Sequence, residues 1–316
     1  MSFLKIRILG LPFLYLFQMG NAFLVASLNS RYLMIGFIVE ALVNVLFDYL
    51  LIFGHGGFPE MGFNGAAVAS VIAEFTGMIV VYSVLFGTGL RAKYALLKNF
   101  KFDAKTSKEI FSVSVPLVTQ YIISVATWLV FFFMIEERGT MAKSISNVMR
   151  NVFGLVGVFV WAFASTSNAM VSNLVGQRRE DQVILAIKKI TYWSLGLCSI
   201  MCLLLNLFPE MFFRLFKQDE AFVQEAIPVV RVVSLGLLFM SIANIWLNGV
   251  TGTGKTKVNL AIEIVAITLY LIYTWIFMKV HYISLSMAWS NEFIYWTAIF
   301  CMSFWFLKSG RWKTKV

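Results

Sequence analysis

Glu40-Ala-Leu-Val-Asn44-Val-Leu-Phe-Asp48-Tyr-Leu-Leu-Ile-Phe-Gly54 closes an apolar run, Tyr32 to Phe53, long enough to cross a bilayer, which takes about 20 helical residues. Glu40, Asn44 and Asp48 recur every fourth residue, so a helix lines them up along one face. A charged group at the middle of a membrane helix costs roughly 2.5–3.5 kcal/mol on insertion scales. Such a stripe must face protein or water, which makes it a candidate path for an ion or a proton.

The whole chain has the same character. Its 316 residues are 59% hydrophobic and 13% charged, with 31 Phe and 9 Trp, and its mean hydropathy is +0.80. A soluble domain cannot hydrate that surface. A closed β-barrel needs alternating polar and apolar residues, whereas these segments are continuous apolar runs. The fold class expected is an all-α polytopic membrane protein. The first apolar stretch leads directly into Arg31 and a second span without a small-residue cleavage site, so it reads as a span rather than a signal peptide. Cys198, Cys202 and Cys301 fall inside spans, where thiols serve as small packing residues.

Nine spans are expected, at 8–27, 32–53, 65–88, 110–135, 151–175, 190–209, 226–250, 258–279 and 283–307. The positive-inside rule orients them. Arg91, Lys93, Lys98, Lys101, Lys105 and Lys108 face a single acid, Asp103, in one loop. That loop, Gln177–Lys189, the turn with Lys255 and Lys257, and the tail with Lys308, Arg311, Lys313 and Lys315 all fall on the cytoplasmic side. The loops between them are poor in Lys and Arg or rich in acids, as at Glu210, Asp219, Glu220 and Glu225. The net charge of +10 is thereby explained by topology and calls for no nucleic-acid partner. An integral protein of a bacterial inner membrane with a cytoplasmic C-terminus is expected.

Residues 5–88 resemble residues 229–306. Arg7 aligns with Arg231, Glu40 with Glu263, and Glu74-Phe75 with Glu292-Phe293. Three spans precede the repeated unit in the second half and none in the first, which suggests a 6+6 helix arrangement of parallel repeats lacking its first three helices. The domains expected are a partial N-lobe of three helices at 1–88, a basic cytoplasmic linker at 89–108, and a C-lobe of six helices at 109–316 with a basic tail.

The chemistry follows the polar residues inside spans. Asp48 is a candidate to exchange a proton, or to share a sodium ion with Asn44 and the hydroxyl of Ser70. Glu40, Glu74, Glu263 and Glu292 form a secondary set that either couples ions or braces the lobes by pairing with basic residues. Pro12, Pro116, Gly154 and Gly157 are helix breakers that permit bending, and Gln120 and Thr119 near Pro116 are candidates to line a substrate cavity. Trp128, Trp161, Trp246, Trp275, Trp289 and Trp296 either line such a cavity for flat cations or face lipid. Gly249-Val-Thr-Gly-Thr-Gly254-Lys255-Thr256 matches a phosphate-loop pattern. A phosphate loop needs a buried strand before it and a magnesium-binding aspartate, and here membrane spans flank it, so no nucleotide is expected. No enzyme chemistry and no metal cluster are read from the sequence.

Asn44-x-x-x-Asp48-x-x-Leu51-Ile-Phe-Gly54, then Gly57-Phe-Pro59-x-Met-Gly62-x-x-Gly65-Ala-Ala-x-Ala69-Ser70, resembles the multidrug and toxic compound extrusion (MATE) family. Val175-Gly-Gln177, Leu215-Phe216-x-x-Asp219 and Gly249-x-x-Gly252-x-Gly254 extend the likeness along essentially the whole chain. The resemblance implies a two-lobe exporter of hydrophobic or cationic small molecules in exchange for H⁺ or Na⁺, with no other cofactor. It implies that the chain starts at the family's fourth helix, and that Asn44, Asp48 and Ser70 match the family's N-lobe cation site. The acids some members use for a C-lobe sodium site are not matched here. Alternatives are a related exporter of lipid-linked sugars, a non-transporting remnant, or an ATP-hydrolysing membrane enzyme.

Overall fold

The protein, described as a computed structural model, is defined over residues 2–96, 102–216, 219–280 and 284–313, with the side chains of Leu215, Lys279 and Val280 also outside the description. Lys98, Lys101, Lys217 and Lys315 of the expected topology signals therefore lie outside the described residues. Helices make up the fold, with no strand among the described residues. Eight helices among the described residues are long and apolar enough to cross a membrane. The chain divides into two compact units, Met1–Phe102 and Asp103–Val316.

The first unit holds α1 (Ser2–Ala26), α2 (Arg31–Phe53), α3 (Phe63–Gly87) and the short α4 (Leu90–Lys93). Small residues let its helices approach. A Cβ on Gly65 would lie 2.6 Å from the Leu51 carbonyl oxygen, which brings the start of α3 onto the end of α2. A Cβ on Gly20 would meet Val81 at 2.5 Å. Helix α3 consequently packs along both α1 and α2, which hardly touch each other.

The second unit holds α5 (Ala104–Glu136), α6 (Thr140–Gly176), α7 (Val183–Leu207), α8 (Pro209–Leu215), α9 (Glu220–Gly252), α10 (Thr256–Trp275), α11 (Leu285–Ala288) and α12 (Asn291–Lys308). Several exceed their expected spans because the helix continues into polar turns. Asp103 caps α5, accepting from the Lys105 backbone N–H at 2.9 Å and from Thr106 Oγ1 at 2.6 Å. At 37 residues, α6 is roughly 55 Å long, well beyond a hydrocarbon core of about 30 Å. Pro12, Pro116 and also Pro228 sit within continuous helices.

The ninth expected span, 283–307, is a broken helix. Residue 283 lies outside the described residues, α11 ends at Ala288, and α12 begins at Asn291. Two donors at the break are bonded by neighbours, Trp289 Nε1 to Ser146 Oγ at 3.2 Å and Asn291 Nδ2 to Thr274 Oγ1 at 3.1 Å, while Asn291 Oδ1 has no partner among the described residues. Irregular backbone at membrane depth is tolerated where protein buries it in this way. Asn291 and Glu292 lie in the first turn of α12, which is not one of the eight helices long and apolar enough to cross a membrane.

The sequence repeat reappears as packing. Helix α12 lies along both α9 and α10, which touch little, as α3 does with α1 and α2. The glycines of the phosphate-loop pattern are consumed in helix contacts. Cβ atoms there would lie 2.6 Å from Ile187 Cδ1 at Gly249 and 2.7 Å from the Asn168 carbonyl oxygen at Gly252. Only Gly254, at φ +78°, makes the turn itself.

Because Gly252 meets the backbone of α6 rather than a flexible side chain, Gly252→Ala is expected to destabilise by about 1–2 kcal/mol. Thermal unfolding in detergent reads this as a lowered Tm; an unchanged or raised Tm would contradict the close α6–α9 approach.

Candidate functional site

The polar stripe of α2 is partly assembled. Asn44 Nδ2 donates to Ser70 Oγ at 3.3 Å, and Ser70 donates to the Ala66 carbonyl of its own helix at 3.0 Å. Asp48, one turn beyond Asn44, has a buried Oδ1 without a hydrogen-bond partner. A buried carboxylate oxygen left unbonded is costly, and among the described residues Glu74 Oε2 shares that state with Asp48 Oδ1.

The four secondary acids sit in four different situations. Glu74 is 6% exposed and forms an ion pair with Arg7 Nη2 at 2.7 Å, across α1 and α3. Gly10 gives the Glu74 carboxylate its room on α1. Glu40 is half-buried against the backbone of α3 at Gly77. Glu263, at 1% exposure, is held without any cation by neutral donors: Tyr295 OH and Ser124 Oγ on its Oε1 at 2.5 and 2.6 Å, and Gln120 Nε2 on its Oε2 at 3.2 Å. Pairing with cytoplasmic basic residues, one reading of this set, is therefore not how Glu263 is satisfied.

Glu292 has a different neighbourhood again. It lines a cavity of about 450 Å³ inside the second unit, among helices α5, α6, α9, α10 and α12. Trp128, Trp161, Phe153, Tyr270, Tyr295 and Trp296 make its aromatic wall, with Arg150 contributing a cation. Trp296 Nε1 donates to Glu292 Oε2 at 2.9 Å. Gly154 keeps one side open, since a Cβ there would meet nothing within 4 Å. Glu292 sits close over α9 because Gly236 lets α12 in, a Cβ there lying 3.1 Å from Glu292 Cβ.

Two expected cavity residues are placed elsewhere. Thr119 donates to the Val115 carbonyl of its own helix at 2.9 Å. Gln120 is drawn into the Glu263 cluster, accepting from Asn259 Nδ2 at 2.5 Å. Neither is among the cavity's lining residues. A single turn separates Gln120 from Ser124, which does line it, and only the partner helix decides which face of α5 looks inward. Of the tryptophans, Trp128, Trp161 and Trp296 line the cavity, Trp246 and Trp289 are buried in the core, and Trp275 is exposed.

The residues missed in the sequence are Tyr295, Ser124 and Asn259. A repeat signal was present for the first. At the offset that aligns Glu74 with Glu292, Tyr295 corresponds to Gly77, so the position facing the repeated glutamate changes from a glycine to a hydroxyl donor. At the offset aligning Glu40 with Glu263, Asn44 and Asp48 correspond to Ile267 and Leu271. The polar stripe thus belongs to the first unit and the caged glutamate to the second.

The family model described as MatE matches residues 116–276, half of the chain. A probable multidrug resistance protein NorM of Thermotoga maritima is 25% identical over 319 residues, covering 99% of this chain and 68% of that protein. An FAD transporter of Shewanella oneidensis is 23% identical over 218 residues, 66% of this chain and 46% of its own length. The chain thus spans about two thirds of the NorM relative and less than half of the FAD transporter. Among solved structures, the Vibrio cholerae MATE transporter VcmN in its bent form superposes with a TM-score of 0.83 at 16% identity, over 99% of this chain and 70% of that one. A MOP superfamily transporter from Pyrococcus furiosus superposes with a TM-score of 0.88, also at 16% identity and over 99% and 70% of the two chains. Apolar membrane helices, a repeated three-helix unit and a matching family model agree: the chain belongs to the MatE family of membrane transporters.

Proposed function

We infer that this protein exports hydrophobic or cationic compounds across a bacterial inner membrane in exchange for H⁺ or Na⁺, with its basic tail in the cytoplasm. The observation that carries this reading is the aromatic cavity with Glu292 in its wall. A concave, mostly apolar pocket with a few placed polar groups is the usual form of a small-molecule site. Aromatic faces attract cations, by about 2 kcal/mol or more once water is excluded. A carboxylate among them selects positive charge, and the absence of a fixed ion pair on Glu292, among the described residues, leaves that charge available. Arg150 at the rim tolerates a ligand that also carries an acceptor. A lipid-linked sugar would find few hydrogen-bonding groups on this wall, so that reading is less well supported.

Coupling falls to Asp48, assisted by Asn44 and Ser70. A carboxylate with an unbonded buried oxygen gains a partner when it takes up H⁺ or Na⁺, which stabilises whichever packing of the helices closes over it. Members of this family act as transporters rather than enzymes, and no step here requires a nucleotide.

Two outcomes test this reading. Glu292→Gln keeps the shape and removes the charge, and should weaken binding of tetraphenylphosphonium by about tenfold or more. Tryptophan fluorescence titration of the purified protein measures it, and unchanged affinity would remove Glu292 from the substrate site. Asp48→Asn should abolish gradient-driven efflux with no loss of thermal stability, because Oδ1 holds no bond to lose. Efflux equal to that of the unsubstituted protein would end the coupling assignment.

A further inference from the structure

Glu263 is buried, bears a carboxylate, and has no cation beside it among the described residues. The groups around it are unusual in a second respect: one of its donors, Ser124, also reaches elsewhere. Ser124 Oγ stands 2.6 Å from Glu263 Oε1 and 2.9 Å from the carbonyl oxygen of Gln120, one turn back on α5. A serine hydroxyl has a single hydrogen, so it satisfies one of these acceptors at a time. Ser124 and Tyr295 both line the cavity, whereas Glu263 does not.

We propose that Glu263 is a proton-binding site filled from the cavity through Ser124. With Glu263 anionic, the Ser124 hydrogen points at Oε1. When a hydronium in the cavity delivers a proton to Ser124 Oγ, the serine's own hydrogen passes to Glu263 Oε1. The serine keeps the delivered proton as its hydroxyl hydrogen, and a water molecule is left behind. Two O–H bonds break, one on the hydronium and the original one on Ser124, and two form, the new one on Ser124 and the one on Glu263, while the positive charge of the hydronium neutralises the carboxylate, so charge and atoms balance. The new Ser124 hydrogen turns to the Gln120 carbonyl, and Ser124 Oγ accepts from the protonated Glu263. Tyr295 OH and Gln120 Nε2 keep their bonds to the carboxyl oxygens in both states. The Glu263 carboxyl oxygens and the Ser124 hydroxyl are bonded in both states, which is what a proton site inside hydrocarbon needs.

The groups around Glu263 fit this role. Helix α5 presents Gln120 and Ser124, neither of them ionisable. Helix α12 presents Tyr295, with Glu292 one turn away, and α10 itself carries Tyr270 and an exposed Lys257. Helix α9 contributes Arg231, which is exposed. Release of the proton retraces the same two hydroxyl positions. A cation held by Glu292 in the cavity and a proton on Glu263 would then communicate across Tyr295, which touches both the cavity and the Glu263 carboxylate.

This rests on the cavity described above but needs no transport to test. Infrared difference spectroscopy on the protein in lipid, acidified stepwise, reads protonated carboxyl groups directly. A carboxyl band should appear and be missing from Glu263→Gln, a near-isosteric change. Hydrogen–deuterium exchange of that band should slow on the order of a hundredfold or more in Ser124→Ala. Ser124→Thr, which retains the hydroxyl, should restore it. No band assignable to Glu263 would overturn the site, and Ser124→Ala exchange as fast as the unsubstituted protein's would overturn the route. Tetraphenylphosphonium binding through Glu292 is measured separately, so either result can fail while the other stands.

Discussion

Inside hydrocarbon a polar side chain can bond only to the protein, and each unbonded group costs several kcal/mol. The polar chemistry of this chain is organised by that constraint. Glu74 meets it with an ion pair to Arg7, and Glu263 meets it with two hydroxyls and an amide. Asn291 and Trp289, at the break before α12, meet it with Thr274 and Ser146. Among the described acids, Asp48 Oδ1 and the second oxygen of Glu74, Oε2, stay buried and unbonded.

The repeat shows how one three-helix plan supports two kinds of site. In both units the third helix packs along the other two, and a glutamate from the second helix faces it. In the first unit the facing position is Gly77, which lets the α2 backbone approach and leaves Glu40 without a hydroxyl partner from that position. In the second it is Tyr295, which bonds Glu263 and also forms the cavity wall. The exchange of a glycine for a tyrosine thus couples a buried acid to a cavity. The arginines diverge in the same way. Arg7 pairs with Glu74, while its repeat counterpart Arg231 is exposed and Glu292 is left to the aromatic wall.

Most of the fold was legible in the sequence because long apolar runs and basic loops report hydrocarbon and water directly. The helices at 32–53 and 65–88 shift by one or two residues at most. Helix length beyond the bilayer was not legible, because α5, α6 and α9 run on through polar turns that hydropathy marks as loops. The break before Asn291 was hidden because its bonds come from Thr274 and Ser146, far away in sequence. The acids of the candidate site were visible as charges out of place. Their partners were not: Ser124 and Asn259 are ordinary helix residues until α5 and α10 come together and bring them to Glu263 and Gln120.

Transport itself is the quantity that decides whether this reading of the acids is right. The chain reconstituted in liposomes and loaded with tetraphenylphosphonium should move the cation against an imposed H⁺ or Na⁺ gradient, without nucleotide, and stop when an ionophore collapses that gradient. Movement that ignores both gradients would contradict exchange as the function.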